Sequence, residues 1–159
     1  MRIEYDGDVG IGTTTPDQKF SVNGGASKVG GGSWATFSDR RVKKNITSFT
    51  DGLNALLQIN PVRFQYNGKA GYLDDGKEYV GVIAQDVQGV APYMIETIPK
   101  KLELADENTT DLLMYDASAL TYILVNAVKE QQQLIDKQQK EISALQQSLK
   151  DIQKYLERK

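Results

Sequence analysis

The stretch "ASALTYILVNAVKEQQQLIDKQQKEISALQQSLKDIQKYLERK", residues 117–159, contains no glycine and no proline. From Leu124 one register runs to the end: Leu124, Val128, Gln131, Ile135, Gln138, Ile142, Leu145, Leu149, Ile152 and Leu156. The steps alternate four and three, which is coiled-coil spacing. Position a holds Val128, Ile135, Ile142, Leu149 and Leu156; position d holds Leu124, Gln131, Gln138, Leu145 and Ile152. β-Branched residues at both positions lean from a dimer toward a trimer. Gln131 and Gln138 place a polar layer in the seam, which costs stability and can fix register. At a rise of about 1.5 Å per residue, residues 120–158 span roughly 55–60 Å. A helix that long projects beyond a domain of about 80 residues. The competing reading is one amphipathic helix packed on its own domain, which calls for a wider apolar face.

Upstream, residues 38–119 read as a compact α+β unit. "TDGLNALLQINP" predicts a short helix, capped by Thr50 or Asp51, with Leu53, Leu56 and Leu57 on its apolar face and Pro61 past its end. "VRFQYN" alternates Val62, Phe64 and Tyr66 with Arg63, Gln65 and Asn67, the pattern of a half-buried strand. "GKAGYLDDGKEYVGVIA" reads as a hairpin turning at Asp75-Gly76. "AQDVQGVAP" predicts a short helix ending near Gly89 and Pro92, and residues 93–116 predict further strands around a polar turn at 106–110.

Residues 1–37 hold most of the fourteen glycines. β-Prone pieces at Ile3–Tyr5, Val9–Thr14, Lys19–Val22 and Trp34–Phe37 are separated by Gly, Pro, Asp and Asn. They are too short and too polar to bury a core alone, but several copies sharing one core form a fibrous trimeric β-stalk. "DGDVG" lacks the remaining ligands of a calcium loop. Gly10 and Gly12 lack the third glycine of a dinucleotide fingerprint, so a turn is expected there.

Composition narrows the chemistry. The chain of 159 residues has no cysteine and no histidine, and its net charge is −2. Disulfides, thiolate and imidazole metal sites, Ser-His-Asp triads and histidine acid–base catalysis are thereby removed. No metal and no cofactor is called for. No run of eighteen apolar residues spans a membrane, and "MRIEYDGDVG" lacks a signal peptide's apolar core. It opens directly on strand-like sequence, as a fragment of a longer protein does.

"FSDRRVKKNI", residues 37–46, follows the glycine-rich segment. Arg40, Arg41, Lys43 and Lys44 read most simply as a solvated basic face. A nucleic-acid or host-surface contact is weakened by sparse neighbouring aromatics and balancing acids. A chemical reading rests on Ser38 and Lys43, five residues apart. With no histidine, lysine is the usual base for a serine. A lysine at its ordinary pKa of about 10.4 is protonated. Burial against Phe37, Val42 and Ile46, with Arg40 or Arg41 nearby, would favour the neutral amine. Asp39 either orients a group or caps a helix start whose amides face a developing oxyanion. Taken alone, a Ser-x4-Lys pair is a weak signal.

"SDRRVKKNI" resembles the opening motif, Ser-Asp-x-Arg-x-Lys-x-Asn-Ile, of the C-terminal intramolecular chaperone auto-processing domain of phage tailspikes and tail fibres. Endosialidase tailspikes are its best-known bearers, and myelin regulatory factor carries a relative. Ser38, Asp39, Arg41, Lys43, Asn45 and Ile46 match every fixed position. "LNALLQINPVRFQYN", "GVIAQDVQ" and "MYDASALTYILVNAVKEQQQ" match later segments in order, so the likeness covers about residues 38–135. "VGIGTTTPDQKFSVNG" is similar to repeats that commonly precede the domain.

The resemblance implies an intramolecular chaperone that forms a homotrimer, helps the upstream fibre segment of the same chain to fold, and cuts itself off. Ser38 is implied as nucleophile and Lys43 as general base, with the cut at Phe37-Ser38. Asp39, Arg41 and Asn45 support the motif. The implied setting is virion tail assembly in the host cytoplasm, with no nucleic acid, membrane or small-molecule cofactor as partner. The expected architecture is α+β: a stalk end at 1–37, the auto-processing domain at 38–119 and a trimeric coiled-coil helix at 120–159. A non-cleaving trimerisation module at a fibre tip is the alternative.

Overall fold

The structure is a computed structural model that describes residues 1–24, 26 and 36–158. It divides into two units, Met1–Ser48 and Phe49–Lys159.

In the first unit, β1 (Arg2–Ile3) runs antiparallel to β2 (Val9–Ile11), and β2 runs parallel to β3 (Phe20–Val22). Three of the expected β-prone pieces are thus strands, shortened by the glycines between them. The fourth, Trp34–Phe37, lies partly outside the described residues, and Thr36 and Phe37 carry no regular structure. Gly12 leaves β2 at φ +72°, and a Cβ there would stand 2.7 Å from the Asn23 carbonyl oxygen. Only glycine makes that turn at low cost. The "DGDVG" loop is occupied by an amine from its own chain: Lys19 Nζ donates to the Asp6 carbonyl at 3.0 Å and to the Asp8 carboxylate. Among the described residues no cluster of acids is arranged to hold a metal.

The second unit is built on a long helix and two small antiparallel sheets. β4 (Val62–Phe64) pairs with β5 (Tyr79–Gly81); β6 (Ile95–Lys100) pairs with β7 (Thr110–Tyr115) around the predicted polar turn. The helices are α1 (Leu53–Leu56), α2 (Ala84–Val90) and α3 (Leu120–Leu156). The fold is α+β, as the sequence predicts. Ala55, Val87, Ala91, Met94 and Ile123 form the buried core, with Leu56, Ile59, Val82, Ile95, Tyr115 and Leu120 packed around it.

Several local expectations are corrected. The strand at 79–81 pairs with Val62–Phe64 and not with residues 68–73, although Gly76 does turn at φ +68°. Aromatic packing explains the choice. Phe64 stacks on Tyr79 at 5.8 Å between centroids, and Tyr66 meets the same ring edge-on at 5.1 Å, so the aromatic side chains of this segment bind the returning strand. Helix α2 does end where expected, at Val90, between Gly89 and Pro92. Helix α1 has four residues, and neither Thr50 nor Asp51 caps it: Glu130 Oε2 accepts from the Leu53 amide at 2.7 Å. Leu57 faces solvent, and Ala55 takes the buried place.

Helix α3 carries two different faces. Ile123 and Ala127 are buried in the unit's own core. The eight apolar residues of the a/d register, Leu124 through Leu156, are between 43 and 65% exposed. Gln131 and Gln138 are exposed with them. No part of the chain covers that stripe among the described residues.

Ile123 is fully buried, so removing its side chain beyond Cβ leaves a cavity that the core cannot close. Ile123→Ala is expected to cost about 2–5 kcal/mol. A urea titration should show a lower midpoint at unchanged slope.

Candidate active site

The basic motif folds into a turn that its own side chains hold. A single 3-10 turn spans Arg40–Val42. Asp39 precedes it in extended conformation, and its Oδ1 accepts from the Arg41 amide at 2.8 Å. The same carboxylate grips the Arg41 guanidinium: Nε donates to Oδ1 at 3.0 Å and Nη2 to Oδ2 at 2.8 Å. Bidentate pairs of this kind fix geometry as well as charge. The guanidinium, then the amide, hold the Asp39 carboxyl below the usual carboxylate range, and the carboxylate holds Arg41 above its own.

The turn closes with the Val42 amide on the Asp39 carbonyl and the Lys43 amide on the Arg40 carbonyl, both at 3.1 Å. Lys43 then leaves in extended backbone, φ −118° and ψ 143°. Its side chain doubles back, and Nζ donates to Ser38 Oγ at 2.6 Å. Asn45 follows at φ +53°. Left-handed backbone is costly for most residues, and asparagine is among the few that adopt it readily. The residue types at Asp39, Arg41 and Asn45 therefore have a local structural reason: each shapes the loop that carries Ser38 and Lys43.

Two expectations are not met within one chain. Phe37, Val42 and Ile46 do not cover Lys43; they are 92, 66 and 52% exposed. The amides of Arg41, Val42 and Lys43 are all consumed inside the turn, so Asp39 acts as a cap and clamp rather than freeing these donors for an oxyanion.

Within the second unit, a hollow of about 450 Å³ is lined by Phe49, Tyr93, Ala119, Tyr122, Val125 and Asn126. It contains no serine and no lysine. Beside it the Tyr93 hydroxyl donates to Asp51 Oδ2 at 2.5 Å. Burial of the ring, and then this bond, push the Tyr93 hydroxyl up to about 12. The sequence reasoning missed Asp51, Tyr93, Asn126 and Glu130 as interacting groups. Glu130 stands in a quoted motif segment, but its partner is 77 positions away.

These features define a serine–lysine pair on a clamped loop, with an uncovered heptad stripe on the C-terminal helix. Residues 38–96 match the family model of a peptidase family described as chaperone of endosialidase. The match starts at Ser38 and ends at Glu96. The chain is 29% identical over 161 residues to Myelin gene regulatory factor-like A of Dictyostelium discoideum, covering 96% of this chain and 17% of that protein. It is 26% identical over 152 residues to Long tail fiber protein Gp37 of Salmonella phage S16, covering 90% of this chain and 19% of that protein. The chain spans less than a fifth of the length of either of these two curated relatives.

The clamp makes a pH prediction. A carboxyl held below its ordinary value of 3.8 stabilises the loop above that pH, and the contribution is lost as pH falls through the depressed value. In Arg41→Ala, the Asp39 midpoint followed by carboxyl-carbon NMR should rise toward 3.8.

Proposed function

We propose that the chain is a self-releasing trimerisation chaperone for a β-rich tail fibre. The observation that carries this reading is the 2.6 Å contact between Ser38 Oγ and Lys43 Nζ in a chain without histidine. The family match from Ser38 onward and the likeness to a phage long tail fibre protein support it.

In the proposed reaction a neutral Lys43 amine takes the Ser38 hydroxyl proton. Oγ attacks the Phe37 carbonyl, of its own chain or a neighbour's. The tetrahedral intermediate collapses with loss of the Ser38 amine, which takes up the proton from Lys43. Water hydrolyses the resulting ester, leaving a carboxylate on Phe37 and a free amine on Ser38. Lysine serves as a base only where water is excluded from its amine. One chain leaves the pair exposed, so the cover comes from other copies, and the cut waits for assembly.

Assembly uses the a/d seam of α3 as a three-stranded coiled coil. Gln131 and Gln138 fix its register. Residues 1–37 are the end of the fibre stalk, 38–119 the auto-processing domain and 120–159 the trimer clamp. Fibres of this kind pair slowly and mis-register easily. Holding three chains together raises their effective concentration, and removing the clamp afterwards leaves an interlocked product. The setting is virion tail assembly, in the host cytoplasm.

A non-cleaving structural trimerisation module is the second reading. The exposure of Phe37, Val42 and Ile46 around the pair favours it.

Mass spectrometry of the purified full chain separates the two. The expected result is fragments 1–37 and 38–159 from wild type. Ser38→Ala and Lys43→Ala should stay whole, with cleavage reduced at least about a thousandfold. A wild type that remains intact as a folded trimer defeats the cleavage reading and leaves the structural module.

The seam is tested separately. Ile135→Glu together with Ile142→Glu should convert a trimer to monomer in analytical ultracentrifugation and abolish the cut. Trimers that survive both charges would place the interface elsewhere.

A further inference from the structure

Five residues, Phe49 to Leu53, are fastened to α3 by two side chains. Asn126 Nδ2 donates to the carbonyl oxygens of Phe49 and Asp51, each at 3.0 Å. Glu130 Oε2 accepts from the Leu53 amide at 2.7 Å. Asn126 and Glu130 are four apart, so they stand on one face of the helix. Gly52 completes the fit: a Cβ there would lie 2.3 Å from Glu130 Oε1 and 2.7 Å from its Cδ. The segment is held from its other side as well, by the Tyr93 hydroxyl on Asp51 and by the edge-on packing of Phe49 against Tyr93 at 5.5 Å.

The Glu130 bond to the Leu53 amide also caps α1, a helix of only four residues, but the other contacts are not needed to make it. What they fix is the point where the chain coming from Ser38 and Lys43 enters the second unit. The latch sits in the same turns of α3 as the exposed seam residues Leu124, Val128 and Gln131. The chain from Lys43 to Phe49, fully extended, reaches at most about 21 Å. Fastening the chain at Phe49 therefore leaves only residues 44–48 as the covalent tether between the serine–lysine pair and the latch.

We infer that Asn126 and Glu130 are positioning residues for self-cleavage, tethering each chain's cleavage loop to the part of the helix where the chains meet. The inference rests on the proposed cleavage and adds a cause for its dependence on assembly. Association at Leu124 and Val128 gathers three latches, and the latches gather three loops. Releasing the latch leaves the dyad chemically intact but lowers the effective concentration of one loop near its neighbours.

The test uses the full chain, with wild type and Ser38→Ala beside Asn126→Ala, Glu130→Ala and Glu130→Gln. Cleavage is followed by intact mass over time, oligomeric state by ultracentrifugation and local opening by amide exchange over residues 49–57. The expected result is faster exchange at 49–53, an unchanged trimer and unchanged melting of α3. Cleavage should slow about two- to threefold in the two alanine variants, the −3/2-power effect of doubling the tether length. Glu130→Gln keeps an acceptor for the Leu53 amide and should recover part of the rate. Alanine variants that exchange faster yet cleave at the wild-type rate overturn the latch while leaving self-cleavage standing. Cleavage lost only in proportion to lost trimer also overturns it, because the role is then structural. A folded wild-type trimer that never cleaves defeats self-cleavage and the latch together.

Discussion

Helix α3 answers to two constraints at once, and the second unit is arranged around how it does so. Ile123 and Ala127 close the domain core, while Asn126 and Glu130 hold the segment that leads into α1. The apolar residues of the heptad register point elsewhere and stay in solvent. At 3.6 residues per turn a helix presents separate stripes, and a residue cannot serve both. Only the first turns of α3 are held by the rest of the unit. Among the described residues the remaining turns have no core partner, and most of a helix's stability comes from packing rather than from propensity alone. That imbalance is the physical argument for self-association, and it stands apart from any likeness to other proteins.

The same imbalance recurs at Ser38 and Lys43. The pair is brought together by purely local means: an aspartate cap, an arginine clamp and an asparagine in left-handed backbone. Its apolar neighbours in sequence do not shield it. A site pre-formed in geometry but not in solvation is suited to a reaction that waits for partners. Under the proposed function, the checkpoint is the arrival of apolar cover rather than the movement of a side chain.

Much of the fold was legible because its signals are local. The gap-free heptads gave α3, the alternation in "VRFQYN" gave β4, and the polar run at 106–110 gave the turn between β6 and β7. The failures share a cause. The partner of β5 was set by stacking among Phe64, Tyr66, Tyr72 and Tyr79, which single-sequence turn chemistry does not encode. The cap of α1 comes from Glu130, whose distance along the chain hides it from any local rule. At the site, the contact of Lys43 with Ser38 was readable from spacing. The burial expected around it was not realised, because three apolar neighbours in sequence do not make a pocket without other elements to close over them.

The motif's economy follows from what such a reaction needs. An enzyme acting on free substrate must spend residues on binding and orientation. A chain that cuts itself carries its scissile bond next to its nucleophile, and covalent attachment already supplies the proximity that binding would otherwise provide. What remains is to hold one loop in one shape. Asp39, Arg41 and Asn45 have that task in backbone terms, and the proposed function assigns the chemistry to the two remaining residues, Ser38 and Lys43. On the proposed function the hollow beside Tyr93 is not a substrate pocket: its lining offers neither serine nor lysine, and self-cleavage would leave no separate substrate to seat there.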